Sequence, residues 1–249
     1  MALLYYITDR RQLSLTTGLA TPEQALKENV RAAFAAGADY VQVREKDLEA
    51  GALAALVEEL ASIRAALRQA QGHEQSRMAV QPTRDGTSRL AVDRKGAVAS
   101  PEPQQSMLQA RLLVNDRLDV ARTCGADGIH LPAGSLPIAA VRKFVGKEWI
   151  VGAACHSIEE VVQAAEVGAD HVLVAPVFDT ASKPGMKPMG LDRFTEICRR
   201  SPIPVFALGG ITLENARSCI EAGAKGLAGI RLFQQSPDLA SLCHDLRSL

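Results

Sequence analysis

The sequence of 249 residues predicts an α/β fold, a closed (β/α)8 barrel, from three observations. The tripeptide Gly-Ala-Asp or Gly-Ala-Lys recurs after Ala-rich helical stretches and before short apolar runs, with copies that begin at Gly37, Gly125, Gly168 and Gly223. Further apolar runs lie between these copies, so that eight runs alternate with helical stretches. The length suits one barrel, and we therefore expect a single domain over residues 1–249.

Each strand is predicted from a nearly continuous apolar run, as is typical of parallel strands buried on both faces. In chain order the runs are Leu3–Thr8, Tyr40–Arg44, Arg111–Asn115, Gly128–Leu131, Trp149–Ala154, His171–Val177, Pro204–Leu208 and Gly226–Phe233. The glycine of each tripeptide ends a helix because glycine adopts a positive φ at little cost. Start signals for helices stand at Thr21, Ser157, Thr212 and Ser236–Asp238.

One stretch departs from the alternation. Residues 69–109, between helix 2 (about Gly51–Arg68) and strand 3, are rich in Gln, Ser, Arg, Gly and Pro. Asp85-Gly86 is a turn signal between Met78–Val80 and Leu90–Val92, so the stretch is either a hairpin insertion or a long excursion. It enters strand 3 at its amino end and should project from the face opposite the catalytic one. There it has either no role or a role in contacts within a homo-oligomer.

Composition and charge exclude several classes of partner and location. The formal net charge is zero, which argues against a nucleic-acid or membrane-surface partner. The five cysteines lack C-x-x-C spacing, which favours free thiols in a reducing compartment. The segment Met1–Tyr6 has no basic region typical of a signal peptide, and no apolar run reaches membrane-spanning length. We therefore expect a cytoplasmic protein.

Polar residues follow the apolar run of strand 2. With a strand period of two, Gln42, Arg44 and Lys46 point the same way. An uncompensated arginine inside a small barrel would cost several kcal/mol, whereas an arginine at the mouth can meet a polyanionic ligand. The alternative is a salt bridge from Arg44 to Glu45 or Asp47 at the rim.

Strand 3 ends in Asn115-Asp116. An amide followed by a carboxylate suits a Mg²⁺ ion that is also bound by phosphate oxygens, because Mg²⁺ prefers few carboxylates together with substrate oxygens. The alternative is a cap for the following helix, and the pair taken alone favours that alternative.

Two further segments suit a phosphate group. After strand 6, Thr180, Ser182 and Lys183 offer hydroxyl donors and a cation, unless the loop is simply solvated. Strand 7 ends in Gly209-Gly210, where the backbone N–H groups can approach a phosphate closely, and Arg231 after strand 8 could add charge. Phosphate sites of barrels are often built from these last two loops.

Two histidines lie near strand ends. His156 follows strand 5 and either shuttles a proton or bridges backbone groups before the next helix. His130 lies within strand 4 and is predicted to be packed. The sequence contains no zinc-spaced group of ligands and no G-x-S-x-G nucleophile motif.

Six segments in this order resemble the thiamine phosphate synthase and thiazole tautomerase superfamily, and the synthase family in particular. They are Tyr6–Asp9, Gln42–Lys46, Val114–Arg117, Ala126–Leu131, Thr180–Lys183 and Leu208–Thr212. The resemblance spans nearly the whole chain except residues 69–109. It implies a TIM-barrel transferase, dependent on Mg²⁺, that condenses hydroxymethylpyrimidine diphosphate with thiazole phosphate and releases pyrophosphate.

The resemblance also implies a role for each matching residue. The diphosphate ligands would be Gln42, Arg44, Lys46, Asn115 and Lys183. The thiazole-phosphate side would be lined by Thr180, Ser182, Gly210, Ile230 and Arg231, and Glu45 and Gly209 of the same motifs are counted as substrate-binding. The predicted catalytic residues are Arg44, Lys46, Lys183 and His156, and the metal ligands are Asp116 and Ser135. Fixed cations and a metal would stabilise the departing diphosphate more in the transition state than in the ground state.

The sequence departs from the synthase pattern at two positions. The family usually has Gly-Gln-Glu-Asp after strand 4, with the last Asp a metal ligand, and this chain has Pro132–Ser135 there. The family usually has Ser after strand 5, and this chain has Ala154. The segment Leu131–Ser135 is similar to the thiazole tautomerases, in which the residue matching His156 would shuttle a proton. A tautomerase and a non-catalytic barrel that binds a phosphorylated ligand are therefore the alternatives.

Overall fold

The computed structural model describes residues 1–13, 21–79, 110–180 and 185–249, with only the helical backbone given at 71 and 73–79. Its strands pair in parallel and in chain order as one closed eight-stranded barrel, which confirms the predicted TIM-barrel fold. The strands are β1 (Leu3–Ile7), β2 (Tyr40–Val43), β3 (Arg111–Asn115), β4 (Gly128–Leu131), β5 (Ile150–Cys155), β6 (His171–Val174), β7 (Val205–Leu208) and β8 (Gly226–Gly229).

Helices follow the strands on the outside of the barrel. They are α1 (Pro22–Ala35), α2 (Ala50–Ala79), α3 (Leu118–Thr123), α4 (Ile138–Val145), α5 (Ile158–Glu166), α6 (Gly190–Arg200), α7 (Leu213–Glu221), α8 (Arg231–Gln234) and α9 (Leu239–Arg247), with a 3-10 turn at Arg10–Gln12. The predicted caps are present, since Thr21 accepts from Gln24 N–H and Ser157 from Glu160 N–H. Within the described residues, no helix is long and apolar enough to cross a membrane.

The predicted strand 8 was too long. The apolar run Gly226–Phe233 leaves the barrel after Gly229 and turns into the short helix α8. The reason is packing outside the barrel, where Phe233 is fully buried against the ring of Tyr6 at a centroid distance of 5.4 Å. A short apolar run does not by itself distinguish a strand from a buried helix.

The predicted end of helix 2, at about Arg68, was wrong. Helix α2 continues to Ala79, so residues 69–79 are helical and Met78-Ala79 cannot be part of a hairpin arm. Several residues of this segment, Gln, Arg and Ala among them, are good helix formers, the segment contains no proline, and the helix continues through its one glycine, Gly72. The rest of the predicted insertion, residues 80–109, lies outside the described residues.

The repeated tripeptide has a structural role that the glycine alone does not explain. Each of its aspartates accepts a hydrogen bond from a backbone N–H of the preceding strand and so joins two neighbouring strands at their amino ends. The pairs, all at 2.7 Å, are Asp39 with Leu4, Asp127 with Leu112 and Asp170 with Val151. Each carboxylate also pairs with an arginine, Arg247, Arg64 and Arg142 respectively.

We expect Asp39→Ala to lower the free energy of unfolding by about 1–3 kcal/mol. The substitution leaves the Leu4 N–H and the Arg247 guanidinium without their shared acceptor at a partly buried position. Urea denaturation measures the change, with Asp245→Ala on the exposed face of α9 as a control that should change it by less than about 0.5 kcal/mol. Equal effects of the two substitutions would show that the strand-joining contact is unimportant.

The barrel interior is filled by alternate residues of the strands. Tyr5, Leu173 and Phe206 are buried together there, while the intervening residues pack against the helices. The Tyr5 ring stacks on Tyr40 at 5.2 Å and meets Phe206 edge-on at 5.4 Å. This aromatic layer closes the barrel from below and leaves the space above it open at the carboxyl ends of the strands.

Candidate active site

A cavity of about 350 Å³ opens at the carboxyl ends of the strands. Its apolar floor includes Ile7, Leu173 and Ala228, which belong to the interior layer. Its walls include most of the predicted site residues, namely Gln42, Arg44, Lys46, Asn115, His156, Thr180, Gly209, Gly210, Ile230 and Arg231. The structure therefore brings residues from six different strands and their loops to one space.

The end of β2 presents its side chains as the period of two predicts. Gln42, Arg44 and Lys46 all line the cavity. The Arg44 guanidinium lies 3.9 Å from Asp9 Oδ2, a long ion pair. Asp9 also accepts hydrogen bonds from Arg11, so its charge is shared. The positive charge of Arg44 is therefore only partly compensated, and the expected alternative, a salt bridge from Arg44 to Glu45 or Asp47, is not what forms.

Glu45 is predicted to bind substrate, but the structure places it elsewhere. Its side chain is fully buried and does not line the cavity. The carboxylate accepts hydrogen bonds from the Thr8 hydroxyl at 2.6 Å and from Arg10 Nη1 at 3.0 Å. The physical reason is the same period of two, which turns Glu45 away from Arg44 and towards the loop after β1.

The buried Glu45 side chain holds together the loops that follow β1 and β2. The Thr8 hydroxyl donates to Glu45 and accepts from the Arg44 N–H at 3.0 Å, so the two loops after β1 and β2 are joined beside Arg44. Arg10 continues the contact outward to Asp47 at 2.8 Å.

We expect Glu45→Gln to lower the free energy of unfolding by about 1–3 kcal/mol, because a buried, charge-assisted contact is lost. Asp47→Asn removes an exposed partner of the same Arg10 and should change it by about 1 kcal/mol or less. Urea denaturation compares the two variants. Full stability of Glu45→Gln combined with weaker substrate binding would instead restore Glu45 as a substrate contact.

The Asn115-Asp116 pair does not cap a helix. In residues 110–180, which the structure describes without a gap, α3 begins after Arg117 with no side-chain capping bond. Asn115 lines the cavity, whereas Asp116 has a φ of +65°, which is costly for a residue other than glycine. Such strain is found most often at functional sites. The capping alternative for this pair is therefore excluded.

Asp116 meets the other predicted metal ligand. The Ser135 hydroxyl donates a short hydrogen bond to Asp116 Oδ1. Both residues stand beside the cavity rather than in its wall, and Ser135 lines a neighbouring groove that shares Pro132 and Ala133 with it. The described residues contain no group of three or more His, Cys, Asp or Glu that could hold a metal ion. This pair would therefore need ligands from a bound substrate.

The glycines after β7 are required by the backbone. Gly209 and Gly210 have φ values of +96° and +68°. A Cβ on Gly210 would lie 2.3 Å from the carbonyl oxygen of Asp179, and one on Gly209 would lie 2.8 Å from Pro176. The loop after β6 thus packs directly against the Gly-Gly turn. Of the predicted residues in that loop, Thr180 lines the cavity, and Ser182 and Lys183 lie outside the described residues.

His156 both faces the cavity and contacts the backbone. Its Nδ1 lies 2.5 Å from the carbonyl oxygen of Ala175. A carbonyl can only accept, so Nδ1 carries a proton, and Nε2 is the acceptor in the neutral form of the ring. The backbone N–H of His156 donates to Glu160 Oε2 at 2.6 Å, which fixes the start of α5. The two expectations for His156 are therefore compatible with each other.

Two buried histidines lie beneath the cavity. His130 is packed as predicted but also lines the cavity, and His171 lies within the interior layer. Burial lowers the pKa of His130 to about 3 and that of His171 to about 4, so both rings are neutral near pH 7. A Cβ on Gly152 would lie 2.4 Å from His171 Nε2 and 3.3 Å from His130 Nδ1. Glycine at this position therefore leaves room for the two rings.

Sequence reasoning missed three residues near the site, Tyr5, Thr8 and His171. Tyr5 donates a hydrogen bond to Gln42, Thr8 joins Arg44 to Glu45, and His171 lies close to His130 across Gly152. The available signal was a polar group within or at the end of an otherwise apolar strand. That signal does not say which face of the strand the residue occupies.

Comparison with known proteins gives concordant results. The family model described as thiamine monophosphate synthase matches residues 96–233. A thiamine-phosphate synthase of Roseiflexus castenholzii is 35% identical over 237 residues, which cover 95% of this chain and 82% of the relative. One from Roseiflexus sp. strain RS-1 is 34% identical over 237 residues, covering 95% and 80%.

The solved structures agree. Thiamine phosphate pyrophosphorylase from Pyrococcus furiosus superposes with a TM-score of 0.70 and 26% identity, covering 99% of this chain and 94% of that one. The two relatives and the solved structure cover at least 95% of this chain and at least 80% of their own length. The chain belongs to the thiamine monophosphate synthase family.

Proposed function

We propose that the chain joins hydroxymethylpyrimidine diphosphate to thiazole phosphate and releases pyrophosphate. The observation that carries this proposal is the polar wall formed by Gln42, Arg44, Lys46 and Asn115 above an apolar floor. A wall of cations and amides suits a diphosphate, and an apolar floor suits a heterocyclic ring. The names of the full-length relatives support the same reaction.

Arg44 and Lys46 would act on the leaving group. Negative charge gathers on the diphosphate as its C–O bond breaks, so a fixed cation at that point stabilises the transition state more than the bound substrate. Arg44 is suited to this role because its ion pair with Asp9 is long and its side chain is three-quarters buried. The electron-rich pyrimidine can carry the resulting positive charge, and the proposal therefore requires no protein nucleophile.

The second substrate would bind on the opposite side of the cavity. Gly209 and Gly210 expose backbone there, and Arg231 and Thr180 line the same space. A phosphate can approach a glycine backbone closely and be paired by an arginine. This arrangement would place the thiazole ring between its own phosphate and the pyrimidine carbon that it attacks.

Asp116 and Ser135 would hold Mg²⁺ jointly with the diphosphate. Their hydrogen bond supports this proposal, because it places a carboxylate oxygen and a hydroxyl oxygen side by side. Mg²⁺ is usually bound by one or two carboxylates together with substrate phosphates, which fits this small donor set. When bound, the ion would neutralise charge on the departing diphosphate. Arg44 and Lys46 are the protein's own cations that neutralise the charge of the diphosphate.

We expect Ser135→Asp to tighten Mg²⁺ binding in the presence of pyrophosphate about tenfold, because a second carboxylate raises the charge of the ligand set. Titration calorimetry measures the affinity directly. Ser241→Asp is a matched control, since Ser241 also donates to an aspartate, Asp238, at 2.7 Å but on α9. Unchanged affinity in Ser135→Asp would place the metal elsewhere.

One observation favours thiazole tautomerase as a second candidate function. His156 lines the cavity and its Nδ1 donates to the Ala175 carbonyl, so that in the neutral ring Nε2 is the acceptor that a proton-abstracting base requires. This geometry does not conflict with synthesis, because His156 and the cationic wall occupy different parts of the lining. A non-catalytic role in binding a phosphorylated ligand is the third candidate.

One assay separates these functions. Both substrates are incubated with the protein, with and without Mg²⁺, and released pyrophosphate is measured together with thiazole isomerisation. Pyrophosphate release that requires Mg²⁺ is expected. Isomerisation without release would establish the tautomerase instead, and ligand binding without either would establish the binding protein. The cytoplasmic location and the homo-oligomer stay predictions, testable by fractionation and light scattering.

A further inference from the structure

A chain of hydrogen bonds runs from the barrel interior to the cavity wall. The Tyr5 hydroxyl donates to Gln42 Oε1 at 3.0 Å, and Gln42 Nε2 donates to Asn115 Oδ1 at 3.0 Å. Tyr5 is fully buried and Gln42 is 1% exposed, whereas Asn115 is half-buried and lines the cavity. The three residues come from β1, β2 and β3, which are neighbours in the barrel.

The direction of these bonds determines which end of each amide faces outward. A side-chain amide has one accepting oxygen and one donating NH₂ group. Because Tyr5 takes the oxygen of Gln42, the NH₂ group of Gln42 is the end that meets Asn115. The oxygen of Asn115 accepts this hydrogen bond from Gln42. The NH₂ group of Asn115 is then the end left for a ligand in the cavity. An anion would therefore meet N–H donors instead of a carbonyl oxygen.

We infer that Tyr5 is a positioning residue, whose hydroxyl acts through Gln42 to turn the NH₂ group of Asn115 towards the diphosphate. The inference rests on the proposed function. The opposite amide orientation would set the Asn115 oxygen against a phosphate oxygen, which is repulsive. A phenylalanine at position 5 would fill the same space and leave both amides free to turn.

The surroundings of Tyr5 keep its hydroxyl in place as a donor. Its ring is held between Tyr40, stacked at 5.2 Å, and Phe206, in edge contact at 5.4 Å. Burial also raises the pKa of Tyr5 well above its usual value, so the hydroxyl stays protonated at any working pH. The orientation of the two amides is thus prepared before a ligand arrives, which lowers the cost of binding.

The test measures the affinity for inorganic pyrophosphate by titration calorimetry with Mg²⁺ present. Tyr5→Phe is expected to weaken binding about tenfold. Asn115 is then no longer held with its N–H towards the pyrophosphate, and losing a hydrogen bond to a charged group usually costs about that much. Tyr40→Phe is the matched control, because among the described residues none hydrogen-bonds to the Tyr40 hydroxyl, and it should bind as the wild type does. In steady-state kinetics, Tyr5→Phe should raise KM for the pyrimidine diphosphate and leave KM for thiazole phosphate unchanged. A merely structural defect would raise both.

A double-mutant cycle tests the route through Gln42. Gln42→Met removes both the relay and the amide of Gln42 from the cavity wall, keeps Tyr5 intact and should weaken pyrophosphate binding by at least about tenfold. Adding Tyr5→Phe to that variant should cause no further loss, since the hydroxyl then has nothing to act through. Additive losses would overturn the inference, and the Gln42→Met result stands even where Tyr5→Phe folds poorly.

The outcomes distinguish this inference from the proposed function. Wild-type affinity for pyrophosphate in Tyr5→Phe overturns the positioning role and leaves the proposed reaction intact. A wild-type protein that neither binds nor releases pyrophosphate overturns the proposed function and this inference together.

Discussion

Replacing Arg44 with alanine is expected to lower kcat/KM for thiamine phosphate formation by about 30- to 1,000-fold, a loss of about 2–4 kcal/mol of transition-state stabilisation. Arg44 lines the cavity, its backbone N–H is fixed by the Thr8 hydroxyl, and its ion pair with Asp9 is long at 3.9 Å. A cation held in this position can stabilise the negative charge of a departing diphosphate without moving. The effect should fall mainly on kcat if the charge is met only in the transition state.

Two variants control this measurement. Arg31→Ala removes an exposed arginine from α1 and should leave kcat/KM unchanged. Arg44→Lys keeps the charge but loses the planar group that binds two phosphate oxygens, and it should recover only part of the rate. A near-wild-type rate in Arg44→Ala would rule out the diphosphate site on this wall. Circular dichroism of each variant confirms that the barrel is folded.

The sequence carried enough information for the fold because local signals agreed with one another. The repeated tripeptide, Gly-Ala-Asp or Gly-Ala-Lys, marked the same point before every second strand, and an apolar run followed each copy. The pattern did not show where each strand or helix ends. The run after Gly226 turned into α8 because Phe233 packs against Tyr6, a contact across more than 200 residues of chain. Helix α2 likewise continued past Arg68, because the segment contains no proline and its one glycine, Gly72, does not end the helix.

The candidate site was predictable in part, for a reason that lies in strand geometry. The period of two correctly placed Gln42, Arg44 and Lys46 on the cavity wall. The same rule places Glu45 on the other face, but the family motif includes it, and the prediction followed the motif. The partner that occupies Glu45, the Thr8 hydroxyl, comes from another strand and is invisible to a local pattern.

Residues inside the barrel were the least predictable. Tyr5 and His171 lie in runs that are apolar on both faces, so periodicity does not show which side chains point inward. Only strand pairing brings Tyr5 beside Gln42, since Tyr5 is opposite Tyr40 and Ile7 is opposite Gln42 in the β1–β2 register. A polar group inside such a layer must find a partner, and finding it requires the register of the neighbouring strands.

Replacing Gly210 with alanine is expected to lower the free energy of unfolding by about 2–5 kcal/mol. Two costs add together. A residue with a Cβ at φ +68° costs about 1–2 kcal/mol, and forcing an atom into a filled space costs about 1–3 kcal/mol more. The space is filled by the carbonyl oxygen of Asp179 at 2.3 Å and by Phe178 Cβ at 2.8 Å. Thermal or urea unfolding measures the loss.

Gly146→Ala separates the two costs. Gly146 has a φ of +81° and a ψ of −175°, but no atom lies within 4 Å of the position that its Cβ would take, so only the backbone cost of about 1–3 kcal/mol applies. The excess loss in Gly210→Ala therefore reports the close approach of the loops after β6 and β7. If the loop after β6 instead moves aside, the extra loss of stability in Gly210→Ala shrinks. KM for thiazole phosphate should then rise, because Thr180 moves with that loop. Gly210→Ala and Gly146→Ala with the same stability and the same KM would contradict both forms of the prediction, since the loop contact would then support neither the fold nor the phosphate site.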